Sequence, residues 1–173
     1  YYGNERPSYK RGVGWDVFEK LSPYIVKLGW HMQIWADWRV LPEFEAKIRR
    51  IPIPVVIDHM LNIKAEHGVD DLGFQTLLRL LCDGKCWVKL SGAYQLSDKY
   101  PDYPDAKPYH EALVAANPDQ LVWGTDWPHP QVDAAVMPND GYLLDLFNAW
   151  TPNEVIRHRI LVENPVKLYG FGS

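Results

Sequence analysis

Four short apolar runs constrain this chain more than any other feature. They are WHMQIW (30–35), PVVIDH (54–59), CWVKLSG (86–92) and LVWGTD (121–126). Each is rich in branched and aromatic residues and bounded by polar residues, glycine or proline, which predicts a buried strand. Between and after them lie segments with helical spacing. LPEFEAKIRRI carries Pro42 near its first turn, and DDLGFQTLLRLLCDG has Asp70 or Asp71 to cap it and Gly84 to stop it. PYHEALVAANPDQ ends at Asn117-Pro118, and YLLDLFNAW and TPNEVIRHRILVENPVKLYGF close the chain. Ahead of the first run, Val17, Phe18, Leu21, Tyr24, Ile25 and Leu28 repeat at spacings of one, three and four. They predict a helix with one apolar face, stopped at Gly29, in which Ser22-Pro23 can start a new turn.

The order is thus a helix, then strand and helix four times over. Strands alternating with helices about every 30 residues imply βαβ units and a parallel α/β sheet. Four such units are half of a (β/α)8, or TIM, barrel. A whole barrel needs roughly 250 residues, with about 200 as a practical minimum, and this chain has 173. Two architectures remain, a half-barrel and a small open sheet. A half-barrel alone leaves two sheet edges and an apolar interior uncovered, a liability met by a partner chain, by self-association or by a missing piece. The chain opens YYGNERPSYKRG, a polar, loop-like stretch without an initiating methionine. That suggests a missing N-terminal part, and residues 1–173 are expected to form a single, partial domain.

Charge narrows the partners. Eighteen basic and 22 acidic residues leave a net charge of −4, which gives no reason to expect nucleic acid or an anionic membrane. The apolar stretches are too short to span a bilayer, and no signal-peptide pattern opens the chain. Cys82 and Cys86 have no further ligands at zinc-site spacing. They are expected to be reduced thiols at a helix end and a strand start, which points to the cytoplasm.

Parallel barrels place their chemistry at the C-terminal ends of strands. There the sequence offers Asp37 and Arg39, Asp58 and His59, then Ser91, Tyr94 and Gln95, and finally Asp126, Trp127 and His129. Carboxylate, imidazole and hydrogen-bonding groups on four adjacent strand ends can activate water and hold a carbonyl or an anion. Each also has a plainer explanation. Asp126 can cap its own turn, and His59 can be a satisfied strand-end histidine. His129 is expected to bond to backbone, and Lys89 to meet a carboxylate in the wall. Asn139 and Asp140 read as helix caps, and Asn164-Pro165 as a turn. His31 reads as packing, and His67, His110 and His158 as surface. The eight tryptophans and ten tyrosines are expected to be mostly core.

VVIDHM, WVKLSGAY, LVWGTDWPHP, MPNDG and ILVENPVKLYGF, in this order and spacing, resemble the amidohydrolase-related superfamily. More closely, they are similar to the branch containing 2-pyrone-4,6-dicarboxylate lactonase and other lactone hydrolases. The resemblance covers about Gly14 to Phe171 and aligns with strands β5 to β8, the C-terminal half of that family's TIM barrel. It implies that Asp126 is the general base ending the last strand and that His59 lies beside the substrate carbonyl. Ser91, Tyr94 and Gln95 would then contact substrate. The family's arginine, which binds a substrate carboxylate, is Gln95 here, so a bidentate guanidinium contact is lost and a dicarboxylate substrate is not expected. The family's His-x-His pair of strand 1 has no counterpart in this chain. Only His59 and Asp126 match metal-ligand positions, so no metal is expected on this chain, although zinc or manganese is compatible with a full-length enzyme. The resemblance implies hydrolysis of a small lactone or cyclic ester. The alternatives are a non-catalytic half-barrel that needs a partner, and a metal-dependent decarboxylase.

Overall fold

The computed structural model describes residues 15–130 and 132–171. The opening polar segment read at residues 1–12 lies outside them. The four strands form where expected, as β1 (Met32–Ile34), β2 (Val55–Ile57), β3 (Trp87–Leu90) and β4 (Leu121–Trp123). They make one parallel sheet in the order β1-β2-β3-β4. Met32 pairs with Val55, Val56 with Trp87, and Val88 with Leu121.

Side chains alternate across the sheet, and the two faces differ. Ile34, Val55, Ile57, Val88, Leu90 and Leu121 pack with Phe74, Leu77, Tyr109 and Leu113 in the main core. These partners come from α3 (Leu72–Cys82) and α5 (Lys107–Ala116). Phe147 of α6 (Asp140–Trp150) joins them. Val56, Trp87 and Val122 face the other way and meet Leu168. Toward the C-terminal end of that second face the residues turn polar. Asp58, 5% exposed, accepts from Gln33 Nε2 at 2.8 Å, and Lys89 Nζ lies 3.0 Å from its other oxygen. Lys89 therefore meets a wall carboxylate, as the alternation suggested.

Several local readings change. The first helix, α1 (Trp15–Leu28), runs straight through Pro23. Proline deprives the carbonyl four residues back of its donor. That carbonyl belongs to Glu19, and the Ser22 hydroxyl donates to it at 3.0 Å. Of the apolar face of α1 only Phe18 is buried, while Val17, Leu21, Tyr24 and Leu28 are exposed. Asn164-Pro165 is not a turn. The helix beginning at Glu154 widens into a π-type stretch over Arg159–Glu163 and continues as α8 (Asn164–Tyr169). The wider turn lets the Asn164 N–H reach the Arg159 carbonyl and accommodates the proline that follows. Asn164 is buried, and its amide donates to the carbonyls of Pro118 and Leu121 at 2.8 and 2.7 Å. This ties α8 to the start of β4, at the end of the sheet opposite the candidate site. His110 is not on the surface either. It is 3% exposed, its Nε2 lies 2.7 Å from Thr151 Oγ1, and its ring meets Phe147 and Trp150 edge-on. His31 packs its ring against Tyr169, while His67 and His158 are exposed. Both cysteines are free, Cys82 at the end of α3 and Cys86 just before β3.

Candidate active site

Three strand ends supply the site. After β2 the chain leaves Asp58 and turns through His59, Met60, Leu61 and Asn62, all with left-handed backbone (φ 49°, 48°, 72° and 53°). Each such residue costs about 1–2 kcal/mol, yet the run is stable for a visible reason. Met60 and Leu61 are 1% and 0% exposed, and burying a side chain of that size contributes about 1.5–3 kcal/mol. The turn drives two apolar anchors into the core and leaves His59 at the rim of the sheet.

After β3, Gly92 (φ 69°) starts α4 (Ala93–Leu96), a single helical turn absent from the sequence reading. The turn presents Tyr94 and Gln95 side by side toward β4. Its tightness is closed by the Gln95 N–H on the Gly92 carbonyl at 2.8 Å.

After β4 the chain turns sharply at Asp126 (φ 67°). Thr125 Oγ1 accepts from the Trp127 N–H at 3.2 Å, and the His129 N–H donates to the Asp126 carbonyl at 2.8 Å. An aspartate tolerates this backbone better than most residues. Left-handed non-glycine residues held by surrounding structure cluster at functional sites.

The three turns bring the side chains together. Asp126 Oδ2 accepts from Tyr94 Oη at 2.5 Å and from Gln95 Nε2 at 2.9 Å. Asp126 Oδ1 lies 3.6 Å from His59 Nε2. His59 Nδ1 is 2.9 Å from Ser91 Oγ. Asp126, His59, Tyr94, Gln95 and Ser91 thus form one contact chain across three strands. Burial pushes the His59 imidazole below its ordinary range. Asp126 and Asp58 oppose that shift, while Lys89 adds to it. The Tyr94 hydroxyl is held well above its ordinary range, first by burial and then by the Asp126 carboxylate. Tyr94 therefore stays a donor.

Asp37 and Arg39, at the end of β1, pair with each other in the following turn. His129 departs from its reading as a backbone partner. It is 4% exposed, with Nε2 3.0 Å from Asp140 Oδ1 and Nδ1 3.4 Å from Tyr94 Oη. Asp140 is not the cap of its helix. Asn139 caps α6 by accepting from the Tyr142 N–H, and Asp140 sits in the first turn facing His129. Both residues lie in the quoted motifs DWPHP and MPNDG, but nothing in their spacing announced the pairing.

Two cavities lie near this cluster. One, of about 20 Å³, sits behind it between Ser91, Trp123, Phe147 and Trp150. The other, of about 320 Å³, lies among Tyr100, Tyr103, Pro138 and Tyr142. Neither is lined by Asp126 or His59.

A resident metal needs about three protein ligands. Among the described residues no three His, Cys, Asp or Glu side chains gather for one. His59 and Asp126 offer two, and Asp126 Oδ2 already accepts from Tyr94 and Gln95. This donor set does not by itself fit a zinc or manganese ion. Among the described residues no helix is long and apolar enough to cross a membrane.

Known proteins resemble this chain in sequence and fold. Residues 4–171 match the family model described as amidohydrolase. The chain is 36% identical over 155 residues to a 4-sulfomuconolactone hydrolase of Hydrogenophaga intermedia, covering 89% of this chain and 51% of that one. It is 34% identical over 163 residues to a 2-pyrone-4,6-dicarboxylate hydrolase of Comamonas testosteroni, covering 89% and 53%. A solved structure from Agrobacterium tumefaciens superposes with a TM-score of 0.80 at 30% identity, over 92% of this chain and 57% of that one. The chain thus spans about half the length of the curated relatives it matches. With its motifs, its parallel βα units and these relatives in agreement, the chain belongs to the amidohydrolase family.

Proposed function

We propose that the four βα units are the last four, β5 to β8, of an eightfold barrel, together one partial domain, and that the whole protein hydrolyses a small lactone or cyclic ester. The observation that carries this reading is the division of labour on Asp126. One oxygen is held by two donors, Tyr94 and Gln95, while the other faces His59. A carboxylate oriented in this way can take a proton from a water placed between it and a bound carbonyl.

In this mechanism Asp126 removes the proton as the water oxygen bonds to the lactone carbonyl carbon. Neutral His59, accepting from the Ser91 hydroxyl at Nδ1, carries its hydrogen on Nε2 and donates it to the developing oxyanion. The ring C–O bond then breaks. The proton held on Asp126 passes to the departing ring oxygen, giving an open hydroxy acid and restoring the base. Gln95 offers an amide where a guanidinium would grip a carboxylate, which favours a substrate without a carboxylate at that position. Of the relatives named above, one is a 4-sulfomuconolactone hydrolase and another a 2-pyrone-4,6-dicarboxylate hydrolase, which supports the substrate class. The free thiols of Cys82 and Cys86 favour a reducing compartment such as the cytoplasm.

The test is Asp126→Asn in the full-length protein, with acid release from a panel of lactones as the readout. Loss of a general base lowers kcat by about 10²–10⁴-fold. Normal turnover by the variant would overturn the assignment. A ring-migrated lactone in place of the hydroxy acid would turn the proposal from hydrolase to isomerase. Loss of activity in chelator, restored by zinc or manganese, would move it to the metal-dependent branch.

A further inference from the structure

The hydrogen-bonded chain does not stop at Asp126. It continues outward through Tyr94 to His129 and Asp140, neither of which the mechanism above uses. His129 is nearly fully buried, and its ring stands edge-on to Tyr94, with centroids 5.3 Å apart and planes at 88°. Its Nδ1 is 3.4 Å from the Tyr94 oxygen, and its Nε2 is 3.0 Å from Asp140. A carboxylate oxygen only accepts, so Nε2 donates to Asp140, and because the one Tyr94 hydroxyl hydrogen goes to Asp126, Nδ1 donates in turn to the Tyr94 oxygen.

Asp140 is itself well founded. It lies in the first turn of an eleven-residue helix, where the aligned peptide dipoles favour negative charge. The backbone reinforces the same path, because His129 also has a left-handed φ of 53° and its N–H closes the turn on the Asp126 carbonyl. One residue thus braces both the base's own loop and the tyrosine that holds the base. Tyr94 sits on a helix of only four residues, too short to fix its ring unaided.

We propose that His129 and Asp140 are positioning residues, which clamp Tyr94 against Asp126 Oδ2 and so keep Oδ1 turned toward His59 and the reacting water. The clamp links the N-terminus of α6 to the base, so the aim of the carboxylate is set by a rigid helix rather than by the loop that bears it. The kinetic part of this inference rests on the proposed hydrolytic role of Asp126, and the structural part does not.

Two measurements test it on the full-length protein. The first is a double-mutant cycle of Tyr94→Phe and His129→Gln. Glutamine keeps an amide donor for Asp140 but withdraws from the tyrosine. Because a misplacement of about 1 Å can cost 10²-fold, each single change should lower kcat by about 10–100-fold with KM little moved. The double variant should be no slower than Tyr94→Phe alone, because His129 acts through that hydroxyl. An unchanged His129→Gln, or a double variant slowed by the product of the two, overturns the proposal.

The second is the crystal structure of the His129→Gln variant. The Tyr94 ring should leave hydrogen-bond distance of Asp126 or occupy two positions. A Tyr94–Asp126 contact kept at its present 2.5 Å overturns the clamp. If the wild-type protein opens no lactone, the hydrolase reading falls, and the crystallographic result still decides the role of His129.

Discussion

Gly92 joins the backbone and the chemistry at the scale of single residues. Its φ of 69° suits glycine, and a Cβ placed there would stand 3.1 Å from His59 Cβ and 3.2 Å from His59 Nδ1. Neither problem relaxes cheaply, since His59 is fixed by its own left-handed turn and by Ser91. Gly92→Ala should therefore push His59 away from Asp126. We expect activity to fall at least about tenfold, and stability to drop by about 1–2 kcal/mol in urea unfolding. A variant with wild-type kcat and midpoint would show that His59 has no fixed place in the site. At this scale the sequence was informative wherever a side chain of the candidate site follows closely on a strand. Asp126, His59 and Ser91 were legible for that reason, and Tyr94 and Gln95 from the motif that follows β3. His129 and Asp140 were not, because their partnership depends on two left-handed residues, Asp126 and His129, that fold the loop back toward α6. Nothing in a residue's local preference predicts that return.

Elements were the most legible scale, and the exceptions have physical causes. All four strands and the capped helix α3, with Asp71 accepting from the Gly73 and Phe74 N–H groups, follow from local pattern and propensity. The π-type stretch before Pro165 did not, since it resolves a proline inside a helix whose burial is decided by contacts with β4. His110 shows the same limit. Its place on α5 gave no hint that Thr151, Phe147 and Trp150 would enclose it. That burial lowers its pKa from the usual 6.5 to about 4, and a pH dependence follows. The unfolded chain takes up this proton as pH falls through 6.5, while the native chain resists until about 4. The stability contribution is therefore full above the unfolded value and is lost on acidification across that window, by up to about 3 kcal/mol at about 1.4 kcal/mol per pK unit. Urea titrations at about pH 7 and about pH 4.5 should show this drop in the wild type. His110→Gln should be less stable at neutral pH but should have a much flatter profile. The slope that remains would come from His31 and His59, whose pKa values burial also lowers, and toward pH 4.5 from Glu45, whose pKa its Arg79 and Arg49 partners lower. An equal slope in both proteins would remove His110 from the account.

For the whole molecule, the deciding fact is the apolar surface that the described residues leave uncovered. The sheet ends in β1 on one side and β4 on the other, and unpaired strand edges invite pairing with another chain. On α1, Tyr24 and Leu28 are 67% and 57% exposed, with Val17, Leu21 and the following Trp30 also open. This face was patterned to be buried, and the described residues do not bury it. In the barrel proposed above, the other four units would lie against β1 and β4, in keeping with relatives of about twice this length. The 173-residue chain expressed alone should then associate with itself, eluting well above its 20.0 kDa on size-exclusion chromatography and shifting with concentration. Leu21→Glu with Tyr24→Glu, both on exposed positions, should lower that association without unfolding the chain, as circular dichroism would report. Persistent association in that variant would shift the contact from α1 to the strand edges. A well-folded monomer of the unmodified chain at all concentrations would mean that these surfaces need no cover, whether from a second copy or from the other half of the proposed barrel.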